Sequence, residues 1–291
     1  MTLVHHRHDG DGWVDCDCGQ RHWGRFGAAG LLLVDEQRGA LLQHRALWSH
    51  HGGTWGVPGG ARSSAETALE AALREAAEEA AVPPDAVRPS HAWVEDHGAW
   101  SYTTIVAHPT RPFDARPADP ESLDITWVPL ESVADLPLLP AFGTMWPRIL
   151  ASAAAELVLV VDAANVVGSR PDGWWRDRAG ATARLRDELG LLAPVPAASL
   201  GLPATLWWPH IVLVAEGRAR GVPSLDGVAV VDAPGSGDDA IAAAVASAVA
   251  DRPQDHVIAV TADRELRSRA EAAGGQHIGP STLLELTRRN S

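Results

Sequence analysis

Four short apolar runs in the second half of the chain restrict its fold more than any other feature: "LVLVV" at 157–161, "HIVLVAE" at 210–216, "VAVV" at 228–231 and "HVIAVT" at 256–261. Each is strand-like in length and rich in β-branched residues. Stretches of helical period separate them, near 176–189, from 238 and at 264–273. This alternation predicts a parallel sheet with helices on both faces.

The first 150 residues read differently. Short apolar runs at 27–34, 40–44, 102–107 and 124–128 surround one long helical stretch at 64–80, a mixed α and β pattern. At 291 residues the chain is long enough for two cores. The change of pattern at "RILASAAAEL" sets the boundary, giving domains at 1–153 and 154–291. The Pro-rich stretch "LLAPVPAASLGLPATLWWP" reads as a long loop.

Composition removes several function classes. Hydrophobic residues at 46% and charged residues at 21% describe a globular chain. No apolar run approaches bilayer length and "MTLVHHRHDGDGW" holds no signal-peptide core, so the expectation is a cytoplasmic protein without a membrane partner. A net charge of −13 argues against nonspecific coating of nucleic acid but leaves room for a local phosphate site. All 24 basic residues are arginine, which excludes Schiff-base chemistry and a Walker-type lysine; the Ala, Arg, Gly and Pro bias points to a high-GC bacterial genome.

Residues 53 to 82, "GTWGVPGGARSSAETALEAALREAAEEAAV", carry the first chemical signal. Glu75, Glu78 and Glu79 stand at i, i+3 and i+4, on one helix face. Three crowded carboxylates repel unless a cation sits among them, and hard oxygens of this kind suit Mg²⁺ or Mn²⁺. Gly59 and Gly60 let the backbone approach a ligand before Ser63 or Ser64 caps the helix.

The spacing from Gly60 through Glu66 and Arg74-Glu75 to Glu78-Glu79 resembles the signature of the Nudix hydrolases. That resemblance implies an α/β/α sandwich with a mixed sheet that hydrolyses a nucleoside triphosphate or an NDP-sugar by water attack at phosphorus. It also implies roles: Glu75, Glu78 and Glu79 as metal ligands, Glu66 as a supporting carboxylate, and Gly59, Gly60 and Arg74 on the substrate side, Arg74 orienting the glutamates. The family often adds an acidic residue from a later loop, here Glu121 in "DPESLDITWVPL". The family's glycine after the last glutamate pair is Ala81, a change expected to touch the helix end and spare activity. Trp55, Trp93, Trp100 and Tyr102 are candidates for stacking on a base, although core packing is the commoner role.

In the second half, "LVLVVD" ends on Asp162, "HVIAVTAD" ends on Asp263, and "APGSGDDAI" starts a helix with Asp238 and Asp239. A parallel sheet with right-handed crossovers brings all four to one edge, where ligands bind. The pattern of Asp162 with Asn165, then Asp238-Asp239, then Asp263-Arg264 resembles the NYN branch of the PIN-like nucleases. The resemblance implies a Rossmannoid domain in which Asp162, Asp238, Asp239 and Asp263 hold Mg²⁺ or Mn²⁺ and a bound water hydrolyses single-stranded RNA. Asn165, Arg170, Arg176, Arg178 and Arg264 are then phosphate or loop contacts, and Trp174 or Trp175 a stacking platform. Asp at strand ends and helix caps also serves local hydrogen bonding, and the 13 arginines of 156–291 face 17 acidic residues. A non-catalytic module binding RNA, a nucleotide or a protein is therefore the alternative for this half.

One more cluster lies upstream. "CDCGQRHW", with His5, His6 and His8 before it, offers a Zn²⁺ site at Cys16, Cys18 and His22, in a narrower Cys-x-Cys spacing than zinc ribbons use. The alternative is a hairpin with two small buried thiols.

Overall fold

A computed structural model describes residues 8–171 and 173–290, and the chain divides into two compact units, Met1–Ala154 and Ala155–Ser291. His5 and His6 lie outside the described residues.

The first unit begins with a hairpin of β1 (Trp13–Asp15) and β2 (Arg21–Trp23). A mixed sheet follows, of β3 (Ala28–Asp35), β4 (Gly39–Arg45), β5 (Trp55–Gly56), β6 (Gly59–Ala61), β7 (Val87–Asp96), β8 (Ser101–Pro109) and β9 (Ser122–Val128). Strand β3 is central: it runs parallel to β8 and antiparallel to β4 and β6. Its sequence AAGLLLVD is buried at the first seven positions, as a strand covered on both faces requires. Strand β4 pairs with β5 and β9, and β7 with β8, all antiparallel. Helix α1 (Ala68–Ala80) packs on β3, β6 and β8, and α2 (Pro140–Leu150) sets Arg148 4.8 Å above the Trp93 ring of β7. Strand β7 escapes a reading by apolar runs because "VRPSHAWVED" carries a buried histidine. His91 is fully enclosed, with Nδ1 3.1 Å from Ser90 Oγ and Nε2 3.1 Å from Ser152 Oγ.

Helix α1 starts later than the predicted residue 64, and neither Ser63 nor Ser64 caps it. Thr67 does, in a capping box: Glu70 N donates to Thr67 Oγ1 at 3.2 Å and Thr67 N to Glu70 Oε2 at 2.7 Å. At the other end Ala81 has φ 53° and ψ 32°, a left-handed conformation that favours glycine, and Val82 N donates to Ala76 O at 3.1 Å.

The second unit holds a parallel five-stranded sheet in the order β14-β13-β10-β15-β16. Its elements are β10 (Leu157–Asp162), α3 (Ala163–Gly168), α4 (Arg178–Leu189), a ribbon of β11 (Val195–Pro196) and β12 (Leu206–Trp207), β13 (His210–Ala215), β14 (Val228–Asp232), α5 (Gly237–Asp251), β15 (His256–Val260), α6 (Arg264–Ala272), β16 (Gln276–Ile278) and α7 (Pro280–Asn290). Leu157, Leu159 and Val161 join Val166, Leu185 and Leu283 in one core, from α3, α4 and α7. Val160 joins Ile241, Val245 and Leu266 in the other, from α5 and α6. Successive residues of β10 thus feed opposite faces, as the pleat demands. The stretch read as a long loop contains the β11–β12 ribbon, anchored by a fully buried Trp207. Among the described residues no helix is long and apolar enough to cross a membrane.

Relieving the left-handed alanine gives a first prediction. Ala81→Gly stabilises by about 1 kcal/mol, raising the melting temperature by roughly 2–4 °C in calorimetry while leaving catalysis unchanged.

Candidate active site

Three segments converge on the C-terminal half of α1 and the face it turns to the sheet. Strand β6, paired with Ala28–Gly30 of β3, delivers Gly59 and Gly60. Helix α1 buries Ala72, Ala76 and Ala80, and Glu79 falls on that apolar stripe. The three glutamates are therefore graded rather than equivalent: Glu79 is 4% exposed, the Glu75 side chain 15% and the Glu78 side chain 48%. The loop before β9 docks beside them, with Ala118 N donating to Glu79 O at 3.0 Å.

Arg74 organises the cluster. Its Nε and Nη2 donate to Glu66 Oε1 and Oε2 at 2.6 and 3.0 Å, its Nη1 to Glu75 Oε1 at 2.9 Å, and Nη2 also to Ala61 O at 3.0 Å. Glu78 Oε2 lies 3.4 Å from Nη1. The fork geometry of a guanidinium suits this bidentate grip on Glu66. The hydrogen bonds from Arg74, joined by Ser63 N at 2.9 Å, hold the Glu66 carboxyl down to about 2.

Glu75 and Glu79 go the other way. Burial pushes the Glu75 carboxyl up to about 7 against the pull of Arg74, with Glu78 and Glu121 adding repulsion. Burial, then Glu75, drive Glu79 well above the carboxylate range, although Gly59 N donates to its Oε2 at 2.8 Å. Glu79, Asp119 and Glu121 bring one carboxylate oxygen each within 4.8 Å of one another. Asp119 Oδ1 accepts from Glu121 N at 3.0 Å and Ser122 Oγ at 3.2 Å, fixing the loop. Buried hard oxygens that resist ionisation by themselves fit a divalent cation such as Mg²⁺. Glu121 is the acid expected from this loop, and Asp119, two residues away, joins it; the pair stands as "DPE", and nothing in the letters says which faces inward.

The two glycines are required for space, since neither has a positive φ. A Cβ on Gly60 would sit 2.5 Å from Glu75 Oε1, and one on Gly59 would sit 2.6 Å from Ala29 O and Gly30 Cα. Of the aromatics, Trp93 is buried and Trp55 lies flat on His44 at 4.6 Å, whereas Trp100 and Tyr102 line a groove of about 1450 Å³ shared with Glu75, Glu78 and Glu79.

Of the proposed zinc ligands, Cys16 is buried and Cys18 exposed, so the hairpin does not bury two thiols. Cys16, Cys18 and His22 do gather, and His97, not among the expected ligands, joins them.

In the second unit Asp162 and Asp263 stand at the C-terminal ends of the adjacent strands β10 and β15, where the chain reverses direction across the sheet. Asp162 is 5% exposed and accepts from Asn165 N, Asn165 Nδ2 and Thr261 Oγ1 at 2.9, 2.8 and 3.0 Å. Asn165 Oδ1 accepts in turn from Ala262 N at 3.1 Å, so this network ties the two strand ends together. Asp263 caps α6 by accepting from Leu266 N at 2.9 Å. Asp238 shares their field: burial, then Asp162, Asp263 and Glu216, raise its carboxyl. Glu216, at the end of "HIVLVAE" and not among the expected site residues, accepts from Gly237 N at 2.8 Å.

Other expected members stand elsewhere. Asp239 is exposed and pairs with Arg269 at 2.8 Å, because the next helical position points some 100° away from that of Asp238. Arg170 grips Glu188 with both guanidinium nitrogens, at 2.8 and 2.6 Å. Trp174 packs against the core with Arg178 5.3 Å over its ring, while Trp175, Arg176 and Arg264 are exposed. Among the described residues these aspartates do not bring three ligand oxygens within 4.8 Å of one another.

Among comparisons with known proteins, the family profile falls on the first unit. The family profile described as the NUDIX domain matches residues 24–148. A Mycobacterium tuberculosis (strain CDC 1551 / Oshkosh) protein named "Putative 8-oxo-dGTP diphosphatase 3" is 48% identical over 153 residues, 49% of this chain and 70% of that protein. A Bifidobacterium longum (strain NCC 2705) protein named "Nucleoside triphosphate pyrophosphatase/Nudix hydrolase fusion protein" is 47% identical over 150 residues, 49% of this chain; this chain spans only 31% of that protein's length. The crystal structure of RenU, a Nudix hydrolase from M. smegmatis, is 45% identical, with a TM-score of 0.44 over 48% of this chain and 92% of that one.

The two glycines separate stability from chemistry. Gly60→Ala pushes only a movable carboxylate, so the variant folds with a near-native melting temperature yet loses at least about tenfold in kcat. Gly59→Ala meets backbone, and its melting temperature falls by several degrees.

Glu75 gives a pH dependence. In metal-free protein its folded value of about 7 exceeds the unfolded value of 4.5, so its contribution is intact below about pH 4.5 and is lost as pH rises through 7. The loss levels off near about 3 kcal/mol, since each pH unit of displacement is worth about 1.4 kcal/mol. Thermal melts in chelator at about pH 8 therefore place Glu75→Gln above wild type by several degrees. At about pH 5 the two converge, and Mg²⁺ raises the wild-type melting temperature more at the higher pH.

Proposed function

Since this chain belongs, through its first unit, to the Nudix hydrolase family, we propose that this unit is a Mg²⁺- or Mn²⁺-dependent pyrophosphohydrolase of nucleoside triphosphates. The observation that carries this reading is the set of buried carboxylates, Glu75 and Glu79 with Asp119 and Glu121, lining a groove large enough for a nucleotide. Bound there, the cation would polarise phosphate oxygens and lower the pKa of a water that attacks phosphorus, breaking the anhydride bond. Glu75, Glu78, Glu79 and Glu121 are the proposed ligands, joined by Asp119 because its carboxylate lies within 4.8 Å of those of Glu79 and Glu121. Arg74 and Glu66 hold Glu75 in place, and Gly59 N orients Glu79. The name borne by the M. tuberculosis relative favours a purine nucleoside triphosphate, including an oxidised one, over an NDP-sugar.

For the second unit we propose a PIN-like, NYN-type domain acting on single-stranded RNA with a divalent cation. Asp162, Asp238 and Asp263 are its ligands and Asn165 its loop anchor. The ion pair with Arg269 leaves Asp239 outside that set, and Glu216 takes its place. Support comes from the position of Asp162 and Asp263 at the sheet's switch point.

One panel tests both halves: 8-oxo-dGTP, dGTP, an NDP-sugar and single-stranded RNA, each with Mg²⁺ or Mn²⁺. Glu78→Gln is expected to lower nucleotide turnover by about 100-fold or more and spare RNA cleavage. Asp162→Asn and Asp238→Asn are expected to do the reverse. Nucleotide turnover that survives Glu78→Gln sinks the first reading. Mg²⁺-dependent RNA cleavage that survives both aspartate changes sinks the second, and RNA bound but never cut by wild type assigns the second unit to binding alone.

A further inference from the structure

The β1–β2 hairpin poses a problem of stability. Each strand has three residues, both show an exposed-intermediate-exposed pattern, and Trp13 and Trp23 remain 45% and 43% exposed. A two-stranded ribbon of this length with no buried face is marginal by itself, and segments without a core of their own are commonly held by a metal or a disulfide. The hairpin is nonetheless well formed, and its turn is built to present sulfur. Gly19 N donates to Cys16 O at 2.9 Å and Cys16 N to Gln20 O at 3.0 Å, with Gly19 in the left-handed region at φ 83°. Cys18 Sγ then lies 3.1 Å from His22 Nε2 on β2.

The fourth group comes from far away in sequence. His97, in the turn between β7 and β8, places its ring 4.9 Å from that of His22, and Cys16 Sγ lies 3.6 Å from His97 O. One donor atom from each of Cys16, Cys18, His22 and His97 falls within 4.8 Å of the others. A tetrahedral ion with bonds of about 2.3 Å to sulfur and about 2.0 Å to nitrogen separates its ligand atoms by about 3.3–3.8 Å, so closure needs only small side-chain adjustments. The seam around the cluster is preformed: His22 stacks on Trp100 at 4.2 Å and 9°, and Trp100 Nε1 donates to Trp23 O at 3.0 Å.

We propose that Cys16, Cys18, His22 and His97 bind one structural Zn²⁺ that fastens the β1–β2 hairpin to the β7–β8 turn and so fixes one wall of the substrate groove. Two thiolates and two neutral imidazoles select zinc over the hard cations suited to the glutamate cluster. Four protein ligands leave no open position, which makes the ion a staple rather than a catalyst. His22, His97 and Trp100 line the same groove as Glu75 and Glu79, so the staple acts on substrate binding through the wall it holds.

The test uses the full chain, expressed without a histidine tag in zinc-supplemented medium. Elemental analysis after dialysis should find about one zinc per chain, and exchange for Co²⁺ should give thiolate-to-cobalt charge transfer with tetrahedral d–d bands. Cys18→Ser and His97→Ala should each weaken retention at least about tenfold and erase the charge-transfer band or shift it. His97→Cys should keep the metal. Circular dichroism checks that the variants fold, and His97 sits in an exposed turn where its loss leaves no cavity. If the nucleotide reading also holds, KM should rise several-fold with kcat little changed; the metal count stands independently of that reading. Zinc-free protein that gives no charge-transfer band, a mass lowered by two hydrogens through a Cys16–Cys18 disulfide, or zinc retained equally by Cys18→Ser and His97→Ala would each overturn the proposal.

Discussion

One guanidinium sets the arrangement of the first unit. Arg74 is held by Glu66 on one side and by the carbonyl of Ala61 on the other, so the helix, the strand before it and the loop between them share a single charged knot. Glu66 is thereby fixed as an anion, and its charge is spent on Arg74. Glu75 receives only one of the guanidinium's contacts, and Glu79 none of those described, which leaves both carboxyls in a half-enclosed place with too little compensation to ionise readily. A buried carboxylate without a partner either takes a proton or finds a cation. The fold keeps this deficit because backbone does the positioning: Gly59 N holds Glu79, and the Cα of Gly60 leaves the space in which the Glu75 carboxylate lies.

The second unit treats its acids differently. Asp162 and Asp263 both accept from backbone amides three residues on, and Asp162 also from Asn165 Nδ2 and Thr261. Local hydrogen bonding therefore explains why these residues end their strands, without any ion. Their convergence at the switch point is what local bonding leaves unexplained, since an N-cap is free to face anywhere its helix starts. The raised carboxyl of Asp238 registers that convergence as repulsion, with Glu216 as a contributor.

What was legible in the sequence follows from how each feature is encoded. Helical spacing carried Glu75, Glu78 and Glu79 to one face, and short apolar runs located β3, β4, β8, β9, β10, β13, β14 and β15, because both signals are local. Features fixed by contact across the fold were not legible. Arg170 reads in sequence as a phosphate ligand, but its partner is Glu188, 18 residues away in sequence and 2.6 Å away in space. Asp238 and Asp239 were indistinguishable as letters and are separated by one step of helix rotation. Gly59 and Gly60 are legible as points of close approach, but the letters do not say that the β3 backbone and the Glu75 carboxylate are what approaches, a property of neighbours and not of the residue. The start of α1 is ambiguous in the sequence because Ser63, Ser64 and Thr67 stand within five residues, and Ser63 and Thr67 each have a glutamate three residues on that accepts from their backbone N–H; at Thr67 the hydroxyl also accepts from Glu70 N, which completes the capping box.

The hairpin carries this one step further. Its own sequence supplies two thiols and an imidazole, enough for a metal to bind but not to be enclosed. The missing donor, His97, stands alone in "EDHGAW" with no periodic or spacing cue, and becomes meaningful only because β7 and β8 pair from Val87–Pro109 to Asp96–Ser101 and carry their turn to the hairpin. The same pairing carries Trp100 and Tyr102 into the groove. A single antiparallel register thus sets both the aromatic lining of the groove and the fourth ligand of its wall, so a slip in that register would disturb both together.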